Sequence, residues 1–153
     1  MTAVTTNPAG CNCLALRQAA RHVSQFYDQF LAASGLRATQ YSILARLQRN
    51  GTMTISALAA ELVMDRTTLG RNILPLERDG LIAVGSGKSD RRSKELRLTD
   101  RGVARFRTAL KGWQEAQARF ETTFGAKRAK ELRTLLHQVV MYESPTSGKD
   151  LHG

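Results

Sequence analysis

Residues 65–99, DRTTLGRNILPLERDGLIAVGSGKSDRRSKELRLT, limit the fold most tightly, because helical periodicity gives way there to two strands across a glycine. Asp65 sits at the N-cap position of a helix, where its carboxylate meets free backbone N–H groups and the positive end of the dipole. Leu69, Ile73 and Leu76 follow at i, i+4 and i+7, while Thr67, Arg71 and Arg78 project from the other side with Thr68 and Asn72 on the flank. Pro75 removes one backbone hydrogen bond and crowds the carbonyl of Arg71, which predicts a kink, since an unbent helix would lose about 3 kcal/mol. Gly80 ends the helix. Leu81 to Val84 is apolar and β-branched, GSGKSDRRS reads as a turn, and ELRL alternates Glu95 and Arg97 with Leu96 and Leu98. This is a hairpin with one wet face. Its tip sets Lys88, Arg91, Arg92 and Lys94 against Asp90 alone.

Upstream, Leu16, Ala19, Val23, Phe26 and Phe30 recur at helical steps, predicting a first helix over Cys13–Ala33, about 31 Å long, that Gly35 stops. Thr39 is the expected N-cap of a second helix with Tyr41, Leu44 and Leu47 in phase. Thr54 caps a third, ISALAAEL, and the linker VMD is only a tight turn. Downstream of Thr99, Val103, Phe106, Leu110, Trp113, Gln117, Phe120 and Phe124 keep a 3,4 spacing, a heptad stripe interrupted only by Gln117. A last helix from about Ala126 to Tyr142 carries Leu132, Leu135, Leu136, Val139 and Val140. The aromatic stripe needs a partner face, for which the first and last helices, from the same subunit or a second one, are the candidates.

These elements predict a mainly α fold with a small β-hairpin wing: a winged helix-turn-helix with N- and C-terminal dimerisation helices. The expected layout is a flexible arm over 1–12, a helical dimerisation region over 13–38 and 100–143, a winged DNA-binding region over 39–99, and a disordered tail over 144–153. With 153 residues the chain is long enough to bury roughly two-thirds of its unfolded surface. Its 23 Lys and Arg against 13 Asp and Glu, a net +10, suit a polyanion. No apolar run reaches the length of a membrane span, and MTAVTTNPAG lacks the features of a signal peptide, so a cytoplasmic location is expected.

Two helices on a tight turn, the second exposing Thr67, Thr68, Arg71 and Asn72, meet the needs of a major-groove reader. Short hydroxyls bond phosphates, Arg pairs with guanine and Asn with adenine. A basic hairpin supplies a second contact, because an arginine on a narrow turn enters the minor groove. Against this stands an ordinary solvated helix face followed by solubilising loop charges. Enzymatic readings find no support. His22, His137 and His152 are scattered, and GSGKS at 85–89 lacks the spacing of a phosphate loop.

TISALAAEL, DRTTLGRNILPLERDGLI and SDRRSKELRLTDRG before a long helix together resemble the MarR family of bacterial winged-helix regulators, over about residues 13–143. The resemblance implies a homodimer with interlocked first, fifth and sixth helices on a pseudo-palindromic operator in double-stranded DNA, without cofactor or metal. It places Thr67, Thr68, Arg71 and Asn72 at the recognition helix, Arg92 in the minor groove and Asp90 as the acid orienting it, with Lys88 and Arg91 on the same wing. The chain is expected to be a repressor released by oxidation or by a small aromatic effector; the alternative is a non-specific or architectural nucleic-acid-binding protein without a switch.

Cys11 and Cys13 are too close in sequence to form a secreted-type disulfide framework, and one Cys-x-Cys pair supplies too few ligands for tetrahedral zinc. A cysteine at a helix start, with Arg17 or Arg21 near, favours its thiolate. Cys13 also resembles, in placement, the reactive cysteine of the organic-hydroperoxide-sensing branch of the family. Tyr27 and Tyr41 match that branch's tyrosines in spacing, whereas Arg17 replaces a hydroxyl partner. The pair is a candidate thiol sensor, a bridge between subunits, or inert. The other candidate effector is a small aromatic acid or phenol held between the dimer helices and the winged region, near Arg17, Arg21, His22 and Tyr41.

Overall fold

The computed structural model describes residues 8–87 and 92–142. After a short turn of 3-10 helix come α1 (Asn12–Leu31), α2 (Ala38–Asn50), β1 (Met53–Thr54), α3 (Ile55–Glu61) and α4 (Arg66–Arg78). β2 (Ile82–Ser86), β3 (Lys94–Leu98), α5 (Asp100–Phe124) and α6 (Ala126–Met141) complete the order. The flexible arm and disordered tail expected from the sequence fall largely outside the described residues. No helix among those described is long and apolar enough to cross a membrane.

The helix ends described next have local causes, except the start of α2. Cys11, not Cys13, occupies the N-cap of α1, its Sγ accepting the Leu14 N–H at 3.4 Å. The helix stops earlier than expected, because a 3-10 turn over Ala32–Ser34 intervenes before Gly35 at φ +73°. The start of α2 is also a correction. The helix opens at Ala38, one residue before Thr39, and its first N–H donates to Asp28 Oδ1 of α1 at 2.7 Å, while the Arg37 N–H donates to Gln40 Oε1 at 3.0 Å. Thr54 and Asp65 cap α3 and α4 as expected, through Ala57 N–H at 3.1 Å and Thr68 N–H at 2.7 Å. α4 runs without interruption through Pro75, so the proline is accommodated inside one element rather than dividing it.

α3 and α4 end in the same way. At the end of α4, the Leu81 N–H reaches the Leu76 carbonyl at 2.9 Å and the Gly80 N–H the Glu77 carbonyl at 3.0 Å, with Gly80 left-handed at φ +73°. At the end of α3, Met64 bonds Ala59 at 2.9 Å and Val63 bonds Ala60 at 3.2 Å, but the left-handed position, φ +51°, is filled by valine. A β-branched residue is strained there, since its Cβ crowds the carbonyl. The tight turn between the two helices is thus held against a local preference.

The wing is wider than a hairpin. β3 pairs antiparallel with β2, Val84 opposite Leu96, and on its other edge with β1, Met53 opposite Leu96. A two-residue strand has no periodicity to read, which is why β1 escaped the sequence. Leu96 is fully buried and meets a core of Leu31, Ile43, Leu44, Leu58, Leu69, Leu76 and Leu81.

The described chain divides into two compact units at Ala116 and Gln117. Within the first, the most deeply buried residues of α5 are small: Gly102, Ala109 and Ala116, at heptad spacing. The expected stripe flanks them, with Phe106 and Trp113 only partly buried. The small residues permit close backbone approach. A Cβ on Gly102 would lie 2.0 Å from the Leu81 carbonyl oxygen, and one on Gly112 would lie 2.2 Å from that of Phe30. In the second unit Phe120 stacks on Phe124 at 5.4 Å, Arg128 lies 4.3 Å over the Phe124 ring and Arg133 pairs with Glu121 at 3.4 Å. Leu135, Leu136, Val139 and Val140, the expected apolar face of the last helix, are exposed, as is all of α1 from Cys11 to His22.

Two substitutions test this account of the backbone. Val63 is 69% exposed, so Val63→Gly removes strain without emptying the core and is expected to raise stability by about 1 kcal/mol in urea denaturation. Gly112→Ala forces apart α1 and α5 and is expected to lower stability by about 3 kcal/mol. A neutral result for either would contradict the contact it probes.

Candidate nucleic-acid interface

The polar side of α4 and the stem of the wing enclose one groove. Its walls carry Thr54 and Ser56 from the start of α3, Arg66 and Thr67 from the first turn of α4, and Arg92 and Lys94 from the returning strand side of the wing, around about 340 Å³. Three cations and four hydroxyls, Ser93 included, around a cleft open to solvent suit phosphate oxygens. Arg66 was not singled out in the sequence. Its position directly after the N-cap Asp65 is the signal for it, because first-turn side chains flank the helix start.

The predicted readers differ in what they offer. Arg71 is exposed on α4. The Thr68 hydroxyl is engaged within the helix: it donates to Asp65 Oδ2 at 2.7 Å. Asn72 Nδ2 donates to the Thr68 carbonyl at 2.9 Å and lies 3.9 Å from Met64 Sδ, so its amide folds back on its own helix. Short polar side chains compete in this way for nearby backbone groups. Lys88, Asp90 and Arg91 lie outside the described residues, and with them the expected Asp90–Arg92 pairing.

A second concavity lies between α1, α2 and α5. Val23, Ser24 and Tyr27 of α1, Tyr41 and Ser42 of α2 and Trp113 of α5 line about 270 Å³. Tyr41 stacks at 17° on both Phe106 and Trp113, with centroids 5.6 and 5.9 Å away. Burial pushes its phenol up from the ordinary value of 10.0. The structure brings Tyr27 and Tyr41, matched in spacing to the tyrosines of a thiol-sensing branch, to one cavity that neither cysteine lines. Cys11, Cys13, Arg17, Arg21 and His22 do not line it, and both thiols are exposed and unpaired. Trp113, Ser24 and Ser42 were not singled out for this site; Trp113 had been read only as part of the heptad stripe.

Helix, turn, capped second helix and three-stranded wing define a winged helix-turn-helix protein. A MarR family pattern matches residues 36–94. The transcriptional regulator MosR of M. tuberculosis, solved in complex with DNA, is 38% identical and superposes with a TM-score of 0.76 over 86% of this chain and 96% of that one. The repressor CouR bound to a 23-mer DNA duplex is 26% identical, with a TM-score of 0.77 over 86% and 94% of the two chains. The homoprotocatechuate degradative operon repressor of Escherichia coli is 26% identical over 127 residues, 83% of this chain and 86% of its own. The chain belongs to the MarR family of DNA-binding transcriptional regulators; it is not an enzyme.

The cap of α4 makes a pH prediction. Two hydrogen bonds from Thr68, side chain first and then backbone, hold the Asp65 carboxyl below its ordinary value of 3.8. A depressed carboxylate contributes stability above the unfolded value and loses it as pH falls through the folded one. Asp65→Asn is therefore expected to flatten the acid side of the stability profile below about pH 4. Urea midpoints at neutral pH and near pH 3 measure this, and an unchanged acid slope would contradict it.

Proposed function

We propose that the chain is a homodimeric transcriptional repressor of a pseudo-palindromic operator, with α4 in the major groove and the wing in the flanking minor groove. The observation that carries this is the convergence of Arg66, Arg92 and Lys94 on the Thr67 face of α4. Arg71 is the candidate base reader, Thr67 and the groove cations hold phosphates, and Arg92 enters the minor groove. Thr68 and Asn72 reach DNA only by giving up bonds within α4. Lys88, Asp90 and Arg91 extend the same basic wing. The exposed apolar residues of α1 and α6 support pairing with a second copy, which sets two recognition helices about one helical turn, or roughly 34 Å, apart.

Gel shifts with operator and random duplex separate this reading from a non-specific architectural protein. Arg92→Ala is expected to weaken operator binding by about 1–3 kcal/mol. If the dimer neutralises about ten phosphates, log K should fall with log salt at a slope near −9. Equal affinity for random DNA, or salt-insensitive binding, would refute the proposal.

Release is assigned first to a small aromatic effector in the cavity between α1, α2 and α5, because stacked rings and hydroxyls line it. Oxidation is a second reading, favoured by one feature: the Cys11 sulfur caps α1 while Cys13 stands two residues on, inside the first turn. A hydroperoxide would take one thiol to the sulfenic acid, reducing itself to the alcohol, and the other thiol would displace water to form the disulfide. Side chains two apart on a helix point to different faces, so closing that bond unwinds the turn. Treatment with an organic hydroperoxide should release operator from wild type but not from Cys11→Ser or Cys13→Ser. Equal release by all three would reject the thiol switch.

A further inference from the structure

We propose that Leu74 reads sequence, its side chain taking the 5-methyl group of a thymine in the major groove next to the base met by Arg71. The inference rests on the placing of α4 proposed above and adds to it one residue and one base.

Leu74 has the wrong chemistry for an ordinary place on its helix. Successive residues of an α-helix turn by about 100°, so Thr67, Arg71, Leu74 and Arg78 fall within about 60° of one another, opposite Leu69, Ile73 and Leu76 in the core. Leu74 is the apolar member of this polar face, and it is 63% exposed. Among the described residues, the other large exposed apolar side chains lie on α1, in the strained turn at Val63, or between Leu135 and Tyr142. Leu74 therefore stands apart from the faces assigned to a second copy.

Its neighbours leave it bare. A helical side chain leans back over the turn before it, toward the residues at i−4 and i−3. For Leu74 the i−4 residue is Gly70, which has no side chain to receive it, and nothing, Leu74 included, lies within 4 Å of the place a Cβ there would take. Neither packing nor backbone conformation demands that glycine, since its φ is not left-handed, and inside a helix it is destabilising relative to alanine. At i+4, Arg78 sets its Nε 3.7 Å from Asp79 Oδ1. The leucine is left uncovered in a face that carries arginines on both sides of it.

Such a face suits DNA, and the major groove offers an exposed leucine one apolar partner. That partner is the thymine 5-methyl group; the other base-edge groups there are hydrogen-bond donors and acceptors. The reach agrees, because Leu74 lies about 4.5 Å beyond Arg71 along the helix, close to the roughly 3.4 Å rise between base pairs. A lone exposed leucine is common on protein surfaces, but on this face it gains from losing water only if the ligand presents an apolar group to it.

Gel-shift titration of the full chain tests this on a duplex selected for tight binding from a random-sequence pool. Each thymine is replaced in turn, in both half-sites, by deoxyuridine, which removes the methyl group and keeps every hydrogen-bonding atom. Burial of one methyl group is worth roughly fourfold in affinity, so one of these replacements should weaken wild-type binding on the order of tenfold. Leu74→Ala is expected to bind the thymine and uracil duplexes equally at that position. Its urea midpoint should stay close to wild type, because the side chain is exposed. A methyl group that matters at no position for the unaltered protein overturns the inference, whether or not the variant folds. So does a thymine preference that survives in Leu74→Ala. If Arg71→Ala and Arg92→Ala both leave affinity for the selected duplex unchanged, the placing of α4 falls and this inference with it. If those two weaken binding and no methyl effect depends on Leu74, only this inference falls.

Discussion

The hydroxyl of Thr99 holds together the three parts of the molecule that must keep register on DNA. It donates to the Gly80 carbonyl at 2.6 Å, where α4 has just ended, and accepts the Gly102 N–H at 3.0 Å, where α5 begins. The Thr99 N–H meanwhile bonds the Leu81 carbonyl at 3.1 Å, beside the first residue of β2. Recognition helix, wing and long helix are therefore joined at one point. Glycine at 102 is required by the same junction, because the Leu81 carbonyl occupies the space a side chain would take. Removing the hydroxyl would leave the Gly80 carbonyl and the Gly102 N–H to find other partners, a loss concentrated at the pivot of the fold.

From that junction the groove cations gain their placement. α4 is fixed at its far end by the Thr99 junction and at its near end by the Asp65 cap, so Arg66 and Thr67 emerge from a helix start whose direction is set twice. Arg92 and Lys94 are placed by a wing that β1 braces on its free edge, with Leu96 locked into the core. The ion pair of Arg46 and Glu61 at 3.3 Å links α2 to α3, but both side chains are nearly half exposed, so it adds little beside the buried leucines. Apolar packing does the positioning.

Much of this was legible because the signals are local. Asp65, Thr54 and Gly80 act within a few residues of themselves, and the alternation of Glu95, Leu96, Arg97 and Leu98 marks one strand. What escaped depends on partners distant in sequence. Asp28 serves the start of α2 from another helix, so no inspection of residues 36–40 reveals it, and Thr39 looked the better cap. The aromatic heptad of α5 was conspicuous enough to hide the Gly102, Ala109 and Ala116 stripe, whose importance lies in how closely other backbones approach. Thr67 and Arg92 line the candidate groove, whereas Thr68 and Asn72 bond within their own helix, a choice between helix and solvent that composition does not decide. The cavity joins α1, α2 and α5, and only folding brings Tyr27, Tyr41 and Trp113 together.

On the proposed reading, that cavity acts on DNA binding through α2. One side of the helix presents Tyr41 and Ser42 to the cavity, while Ile43, Leu44 and Leu47 enter the core that also receives Leu69, Ile73 and Leu76 of α4. A ring inserted beside Tyr41 bears on a helix whose other side is close-packed, and a close-packed interior transmits a displacement rather than absorbing it. The α2–α3–α4 body and its wing would move with respect to α1, whose first half carries the exposed apolar residues assigned to a second copy. Two such bodies in a dimer must match half-sites at fixed spacing, so a small rotation in each is enough to misplace one recognition helix relative to the other. The energy available for this is the difference in ligand affinity between the two arrangements and no more. Tight binding alone does not make a switch: the ligand must fit the cavity better when the recognition helices are out of register than when they are in it.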